Sequence, residues 1–525
     1  MFMKLKYLNQ IEQATGPGRM ELFRFGTAML FIVGIMLVTS GMMPETPNGV
    51  LLVAAAVIGG YMALNIGAND VANNVGPAVG SQALTIFWAI VIAAIFEASG
   101  AIIAGGAVVG TVKNGIINPE LIGNSDQFIW LMMGALLAAS IWLNVATYLG
   151  APVSTTHSIV GGVLGAGIAA GGVGVADWGK LSAIVSSWVI SPLIGGVIAA
   201  LTLYLIKRTI TYKKDKLAAA AKMVPVYVAF MAWAFSTYLI LKGLKKIIKI
   251  EFLMASLIGL LIAGAVYLLA KSLITKRCAE LENDKNSVSN LFTIPLIFSA
   301  ALLSFAHGAN DVANAVGPLA AINDAIFTAT ITASATIPLW VMLIGAIGIS
   351  LGLALYGPKL IRVVGSEITE LNQMRAFCVA LAAAVTVIIA SQLGLPVSST
   401  HVAVGAVFGV GFLREAIKSN YATIIEDIRV HHTQNNQTEE DLGKFLAEFE
   451  EADFGHKDQM IKSLKQNSMA AGLSKAERKM LKKQHKEQLV RRSAVYKIAA
   501  AWVITVPASG IMAAIFYFTL RGMLL

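Results

Sequence analysis

Charge is what this 525-residue chain has least of: Asp, Glu, Lys and Arg together make up 13% of it, against 56% hydrophobic residues. With a mean hydropathy of +0.71, that scarcity excludes an ordinary water-soluble globule. Cysteine is nearly missing too. Cys278 and Cys378 are the only two, one beside a loop and one in an apolar run, so no disulfide framework is implied and neither is a catalytic candidate. No Gly-Lys pair is followed by Ser or Thr, so the phosphate loop of a built-in ATP motor is lacking. The net charge of +10 does not point to nucleic acid either, because the basic residues collect between apolar stretches.

What is present is the pattern of an all-α polytopic membrane protein. Thirteen apolar stretches run from 25–43 to 498–520, most near the roughly 20 residues needed to cross a bilayer. A few are short, so about 12 transmembrane helices are expected, with re-entrant or broken pieces. Gly and Ala alternate with β-branched residues, which suits close helix packing in lipid and not a barrel. Lys207, Arg208, Lys213, Lys214, Lys216 and Lys222 face only Asp215, which puts loop 207–222 in the cytoplasm of a multi-pass inner (plasma) membrane protein. The basic N-terminal stretch leads into an apolar run too long for a signal-peptide core, and reads as a retained first helix.

The chain also repeats itself. Residues 67–77 read GANDVANNVGP and residues 308–318 read GANDVANAVGP, agreeing at ten of eleven positions. A second echo follows each copy: Gly150-Ala-Pro-Val-Ser-Thr-Thr-His157 and Gly394-Leu-Pro-Val-Ser-Ser-Thr-His401. These pairs bound one repeat at 50–175 and another at 291–413, with the first helix in 1–49, linking helices in 176–290, a polar insert at 414–497 and a closing helix in 498–525. Seven apolar runs separate Asp70 from Asp311, and an odd number makes the two repeats inverted in the membrane.

Gly67 and Gly308 weaken a helix and Pro77 and Pro318 cannot donate inside one, so the backbone is expected to unwind around each GAND. Asn69, Asp70 and Asn73 share a side there, as do Asn310, Asp311 and Asn314. Carboxylate and amide oxygens suit a hard cation such as Na⁺. A bare Asp at the bilayer centre costs roughly 3 kcal/mol or more, so each needs a cation, a proton or a ligand; a helix cap or an Asp–Asn clasp is the plainer alternative. Ser154 and Ser398 stand where helices begin. Exposed N–H groups, the helix dipole and the hydroxyls of Ser154, Thr155, Thr156, Ser398, Ser399 and Thr400 suit a compact tetrahedral oxyanion, though capping alone explains either segment singly. Neither motif pair contains Lys or Arg, so an anion there depends on cations that arrive with it. His157 and His401 either shuttle protons or hydrogen-bond a backbone group or carboxylate. Glu97, whose counterpart at the motif spacing is Pro338, is a second cation ligand, a gating contact or a structural pair.

With these residues the chain resembles the inorganic phosphate transporter (PiT) family of cation–phosphate symporters; the likeness covers both repeats and the linking helices, and Phe96-Glu-Ala-Ser-Gly100 also looks like a family segment. The resemblance implies an elevator-like or rocking carrier, not an enzyme, in which Asp70, Asp311 and their Asn neighbours hold sodium and the paired Ser/Thr starts hold inorganic phosphate. It implies no cofactor beyond Na⁺, or H⁺ in proton-coupled relatives that carry phosphate or metal-phosphate, and leaves a homo-oligomer open. There are two departures. Animal members have a glutamate in the span before each Pro-Val-Ser segment, where this chain has Ala135 and Ala380, and their large loop lies between the repeats instead of after them. A channel would lack tightly coupled carboxylates, and a membrane enzyme would need a nucleophile and base.

The 414–497 insert holds 16 basic and 13 acidic residues and no span-length apolar run. Leu442, Phe445, Leu446 and Phe449 fall at helical spacing and 475–492 is a basic helix pattern, so two packed helices or a regulatory, lipid-sensing role are the readings. Replacing residues 430–490 by a short flexible linker is expected to alter abundance or regulation and to leave phosphate affinity unchanged, as measured by titration of the purified protein.

Overall fold

The computed structural model describes residues 2–42, 49–151, 153–243, 250–328, 337–367, 371–418 and 492–524, with isolated positions at 428, 446–448, 460, 474 and 477. Most of the 414–497 insert and the helices expected in it therefore lie outside the described residues. The chain divides into two compact units, Met1–Gly409 with Ser493–Leu525, and Val410–Arg492. The first unit is helical, and strands are absent among the described residues apart from one antiparallel bridge between Ile117 and Ala176. Eleven helices among those residues are long and apolar enough to span a bilayer.

A first helix, α1 (Phe2–Ser40), precedes the first copy, which comprises α2 (Gly49–Asn69), α3 (Val71–Gly80), α4 (Ile86–Ala104), α5 (Gly106–Asn114), α6 (Ser125–Leu149) and α7 (Thr155–Gly171). Linking helices follow: α8 (Trp178–Ile206), α9 (Lys216–Gly243), α10 (Phe252–Cys278) and the short α11 (Lys285–Asn290). The second copy is α12 (Thr293–Asp311), α13 (Ala313–Thr328), α14 (Leu339–Glu367), α15 (Gln373–Gln392) and α16 (Ser399–Lys418); α17 (Arg492–Leu524) closes the chain.

The two copies are interleaved. Packing runs α6, α2, α14, α4, α12, α15, each helix against the next, so α2 of the first copy lies on α14 of the second and α12 of the second on α4 of the first. Glycine makes this approach feasible. A Cβ on Gly67 would strike the Ile349 carbonyl and one on Gly352 the Leu64 carbonyl; a Cβ on Gly308 would strike the Glu97 carbonyl and one on Gly100 the Phe305 carbonyl. Small residues of this kind let helix backbones meet where lipid supplies no hydrophobic drive. The reciprocal contacts also correct the alignment: Glu97 occupies the place of Ile349, not of Pro338.

Each GAND segment interrupts the helix at one residue, Asp70 or Val312, without unwinding it into an extended stretch. Asp70 keeps helical dihedrals (φ −84°, ψ −36°) and its N–H still reaches the Ile66 carbonyl at 2.9 Å, while Asn73 N–H turns tightly onto the Asp70 carbonyl at 2.9 Å. The second copy makes the same joint at Val312, and Pro77 and Pro318 sit inside α3 and α13. Gly67 and Gly308 serve close packing, which is why they do not break the helix. Gly150 (φ 71°) and Gly394 (φ 68°) are the left-handed residues at which α6 and α15 turn into the Pro-Val-Ser segments.

Gly100→Val and Gly352→Val are each expected to destabilise the purified protein by about 1–3 kcal/mol or more by forcing paired backbones apart. Gly34→Val and Gly264→Val, where a side chain meets nothing within 4 Å, should leave Tm near wild type. Equal losses at all four positions would refute the packing argument.

Candidate functional site

Each GAND joint puts an aspartate at the centre of the bundle, 1% exposed for Asp70 and 0% for Asp311. The two helix starts come to meet them. Thr155 Oγ1 donates to Asp70 Oδ2 at 2.7 Å, and its counterpart Ser399 Oγ donates to Asp311 Oδ2 at 2.8 Å. Contacts also cross between copies: Asn73 Nδ2 donates to Thr400 Oγ1 at 2.9 Å, and Asn314 Nδ2 to Thr155 and Thr156 at 3.0 and 3.2 Å. Thr400 Oγ1 adds a bond to Asp70 Oδ1 at 3.1 Å, while Thr156 Oγ1 donates to the Val397 carbonyl at 3.1 Å, just before the other helix start. Swapped contacts of this kind are what a two-fold relation between two copies produces.

Ser154 and Ser398 are helix caps, their Oγ atoms accepting from the backbone N–H of His157 and His401 at 3.1 and 3.2 Å. Their hydroxyl protons stay available to a further acceptor. The other four hydroxyls expected to face an anion instead donate to carboxylates or, for Thr156, to a carbonyl. The reason is electrostatic: a buried carboxylate is the strongest acceptor within reach of a hydroxyl.

The cation side of the site carries its own signature. Asn73, Asn310 and Asn314 each leave the amide oxygen, and Asp311 leaves Oδ1, buried without a hydrogen-bond partner. Buried acceptors are rarely left so, and amide and carboxylate oxygens are the donor type a hard cation such as Na⁺ accepts. Asn69 differs. Its amide donates to Thr147 Oγ1 at 3.0 Å and to the Ala151 carbonyl at 3.3 Å, and its oxygen accepts from Val153 N–H at 3.3 Å. Asn310 makes the matching donations, to Ser391 Oγ at 3.0 Å and the Leu395 carbonyl at 3.2 Å. Both residues tie a GAND joint to the chain that enters its Pro-Val-Ser segment.

Sequence reasoning missed His307. It stands one turn before Asp311, fully buried, with Nδ1 2.7 Å from Glu97 Oε2 and Nε2 2.8 Å from Asp311 Oδ2. The second contact is close but outside hydrogen-bond angles. Asn74 Nδ2 donates to the other Glu97 oxygen at 2.7 Å, so Glu97 is a paired acid joined to the neighbourhood of Asp311 through an imidazole. Ligating atoms of Asp70, His307 and Asp311 lie within 4.8 Å of one another. A lone histidine four residues before the repeated Asp was the available signal. His157 and His401 turn their rings elsewhere: they meet edge to face at 4.4 Å, with Trp188 at 3.8 Å from the first and Trp502 stacked at 3.6 Å on the second. Aromatic packing, not a carboxylate contact, fixes those rings. Ala135 and Ala380 are fully buried, and a Cβ on Gly162 would already lie 3.0 Å from the Ala135 carbonyl, so at Ala135 a longer acid has little space.

The chain is similar to known proteins over most of its length. Residues 66–513 match the Phosphate transporter family. A Helicobacter pylori (strain J99 / ATCC 700824) protein named "Putative phosphate permease" is 50% identical over 528 residues, covering 99% of both chains. A Pyrococcus abyssi protein of the same description is 36% identical over 377 residues, covering 72% of this chain and 92% of its own. A solved structure entitled "The sodium-dependent phosphate transporter" superposes with a TM-score of 0.72 at 31% identity, over 90% of this chain and 100% of that one.

Glu97→Gln keeps the size of the side chain but turns an amide N–H₂ toward either His307 or Asn74. The lost acceptor is expected to lower stability by about 1–3 kcal/mol, seen as a reduced Tm. A Tm equal to wild type would mean that His307 and Asn74 do not depend on the acid.

Proposed function

The chain belongs to the phosphate transporter family, and from that premise we propose that it imports inorganic phosphate by symport with Na⁺. The supporting observation is the set of partnerless oxygens on Asn73, Asn310, Asn314 and Asp311 around two buried aspartates, which sodium would coordinate. Phosphate would then bind at the helix starts headed by Ser154 and Ser398, where N–H groups and the helix dipole favour an anion.

The hydrogen bonds suggest an order. Thr155, Ser399 and Thr400 give their protons to Asp70 and Asp311, so the carboxylates hold the donors that phosphate needs. Sodium bound to those carboxylates neutralises them and weakens their claim on the hydroxyls, which frees donors for the second anion. Without such cations, two aspartates and a phosphate would repel one another in a medium of low dielectric. The carrier on this reading is an inverted-repeat secondary transporter, with the anion held where the two copies cross.

A proton-coupled phosphate or metal-phosphate symporter is the second reading, favoured by His307 standing between Glu97 and Asp311. Phosphate uptake into proteoliposomes under separately imposed gradients distinguishes the two: a Na⁺ gradient is expected to drive accumulation and a H⁺ gradient alone is not. Asp70→Asn and Asp311→Asn should each abolish sodium-driven uptake in a folded protein, because the amide keeps the volume and loses the charge. Normal uptake in either variant would sink the cation assignment.

A further inference from the structure

Beside the buried site, at the end of the bundle where α1 enters, lies a cavity of about 540 Å³ between α1, α2, α6 and α14. Its lining includes the buried Asn65 and Ala68, the half-buried Thr147 and Arg24, and the exposed Lys359. Thr147 is the residue whose hydroxyl accepts from Asn69, next to Asp70. One side-chain contact thus separates this space from the carboxylates.

The cavity supplies what the centre lacks. Neither repeated motif pair contains a cationic side chain, whereas here two converge, from helices of different parts of the chain. Arg24 spends one nitrogen on Glu21 at 3.0 Å, and Lys359 one donor on the Tyr148 carbonyl at 3.1 Å. A guanidinium has five N–H donors and an ammonium three, so most stay free for an acceptor. Tyr61, Tyr148 and Tyr356 also line the space and add hydroxyls. Membrane-interface anchoring by snorkelling explains cations and tyrosines on a lipid-facing surface, but not their placement around a space that leads inward to Asn65 and Thr147.

We propose that this cavity is a peripheral binding site for a phosphate group, held by Arg24 and Lys359 and parted from the buried aspartates by the Asn69–Thr147 contact. Its chemistry does not depend on which anion occupies the centre. Free inorganic phosphate and an anionic phospholipid headgroup present the same group. The apolar α1 wall of Phe25, Met29 and Ile32 accommodates an acyl chain beside it. Glu21 is a built-in competitor for Arg24, so its neutralisation strengthens the site.

The test is equilibrium binding of radiolabelled inorganic phosphate to the full chain in zwitterionic nanodiscs, with and without sodium. Sodium-independent binding is expected to weaken about tenfold or more in Arg24→Gln/Lys359→Gln, by loss of charge-assisted hydrogen bonds. It should tighten in Glu21→Gln and persist in the charge-preserving Arg24→Lys/Lys359→Arg, while sodium-dependent binding stays intact in all three. A parallel arm uses phosphatidylglycerol nanodiscs and native mass spectrometry. Lipid retained by wild type and lost from the Gln/Gln variant identifies a headgroup as occupant, whereas phosphate binding insensitive to that lipid identifies the free ion; both place a phosphate group in the cavity. A Gln/Gln variant matching wild type in phosphate binding and lipid retention overturns the proposal. Loss of sodium-dependent binding alone would count against the central site and not this one.

Discussion

Two carboxylates sealed inside an apolar bundle are the constraint on which the rest of this structure depends. Each unpaired Asp at mid-bilayer depth costs several kcal/mol, and here two of them, with a histidine, share a space only 4.8 Å across. The chain meets that cost with short, charge-assisted hydrogen bonds from Thr155, Ser399 and Thr400, which in turn requires that two helices begin at the same depth. Helix starts need caps, hence Ser154 and Ser398; caps need the chain to turn, hence Gly150 and Gly394 in left-handed conformation. The Pro-Val-Ser segments and the GAND joints are therefore one device, not two motifs.

Interleaving keeps the device together. Because α2 packs on α14 and α12 on α4, neither copy owns a separable core, and several contacts at the centre cross between halves, Asn73 to Thr400, Asn314 to Thr155 and Glu97 to His307 among them. The glycines that touch carbonyls at Ile349, Leu64, Glu97 and Phe305 set the helix spacing, and through it the distance between the aspartates. A change of packing far along α14 is thereby felt at Asp70.

Much of this was legible in the residues. An identical eleven-residue pattern with one difference, and Ser before a new apolar run, announce a repeated site and a helix cap for reasons of local chemistry alone. What was not legible depended on contacts between copies. Gly67 and Gly308 read as helix breakers because a sequence does not show which carbonyl will lie against them. His157 and His401 read as proton shuttles or as hydrogen-bonding groups, and a sequence does not show that Trp188 and Trp502 lie on their rings. Glu97 was matched to Pro338 by counting, whereas the packing matches it to Ile349, since the chain between the second GAND and its following helix is longer than after the first, in part because α13 is longer than α3. His307 carried no repeat at all, its counterpart being Ile66, and so escaped a search guided by repetition.

That last asymmetry has an evolutionary reading. Asn74 and His307 both touch Glu97, and each of the three corresponds to an apolar residue in the other copy: Ala315 to Asn74, Ile349 to Glu97 and Ile66 to His307. A homodimer of identical half-sized subunits would have to carry any such acid–imidazole pair twice, with two more ionisable groups sealed in lipid. Fusing the duplicated halves into one polypeptide removes that obligation, because each mutation then strikes a single copy. The two aspartates of one chain are thereby free to differ: both accept from hydroxyls, and only Asp311 also has an imidazole beside it.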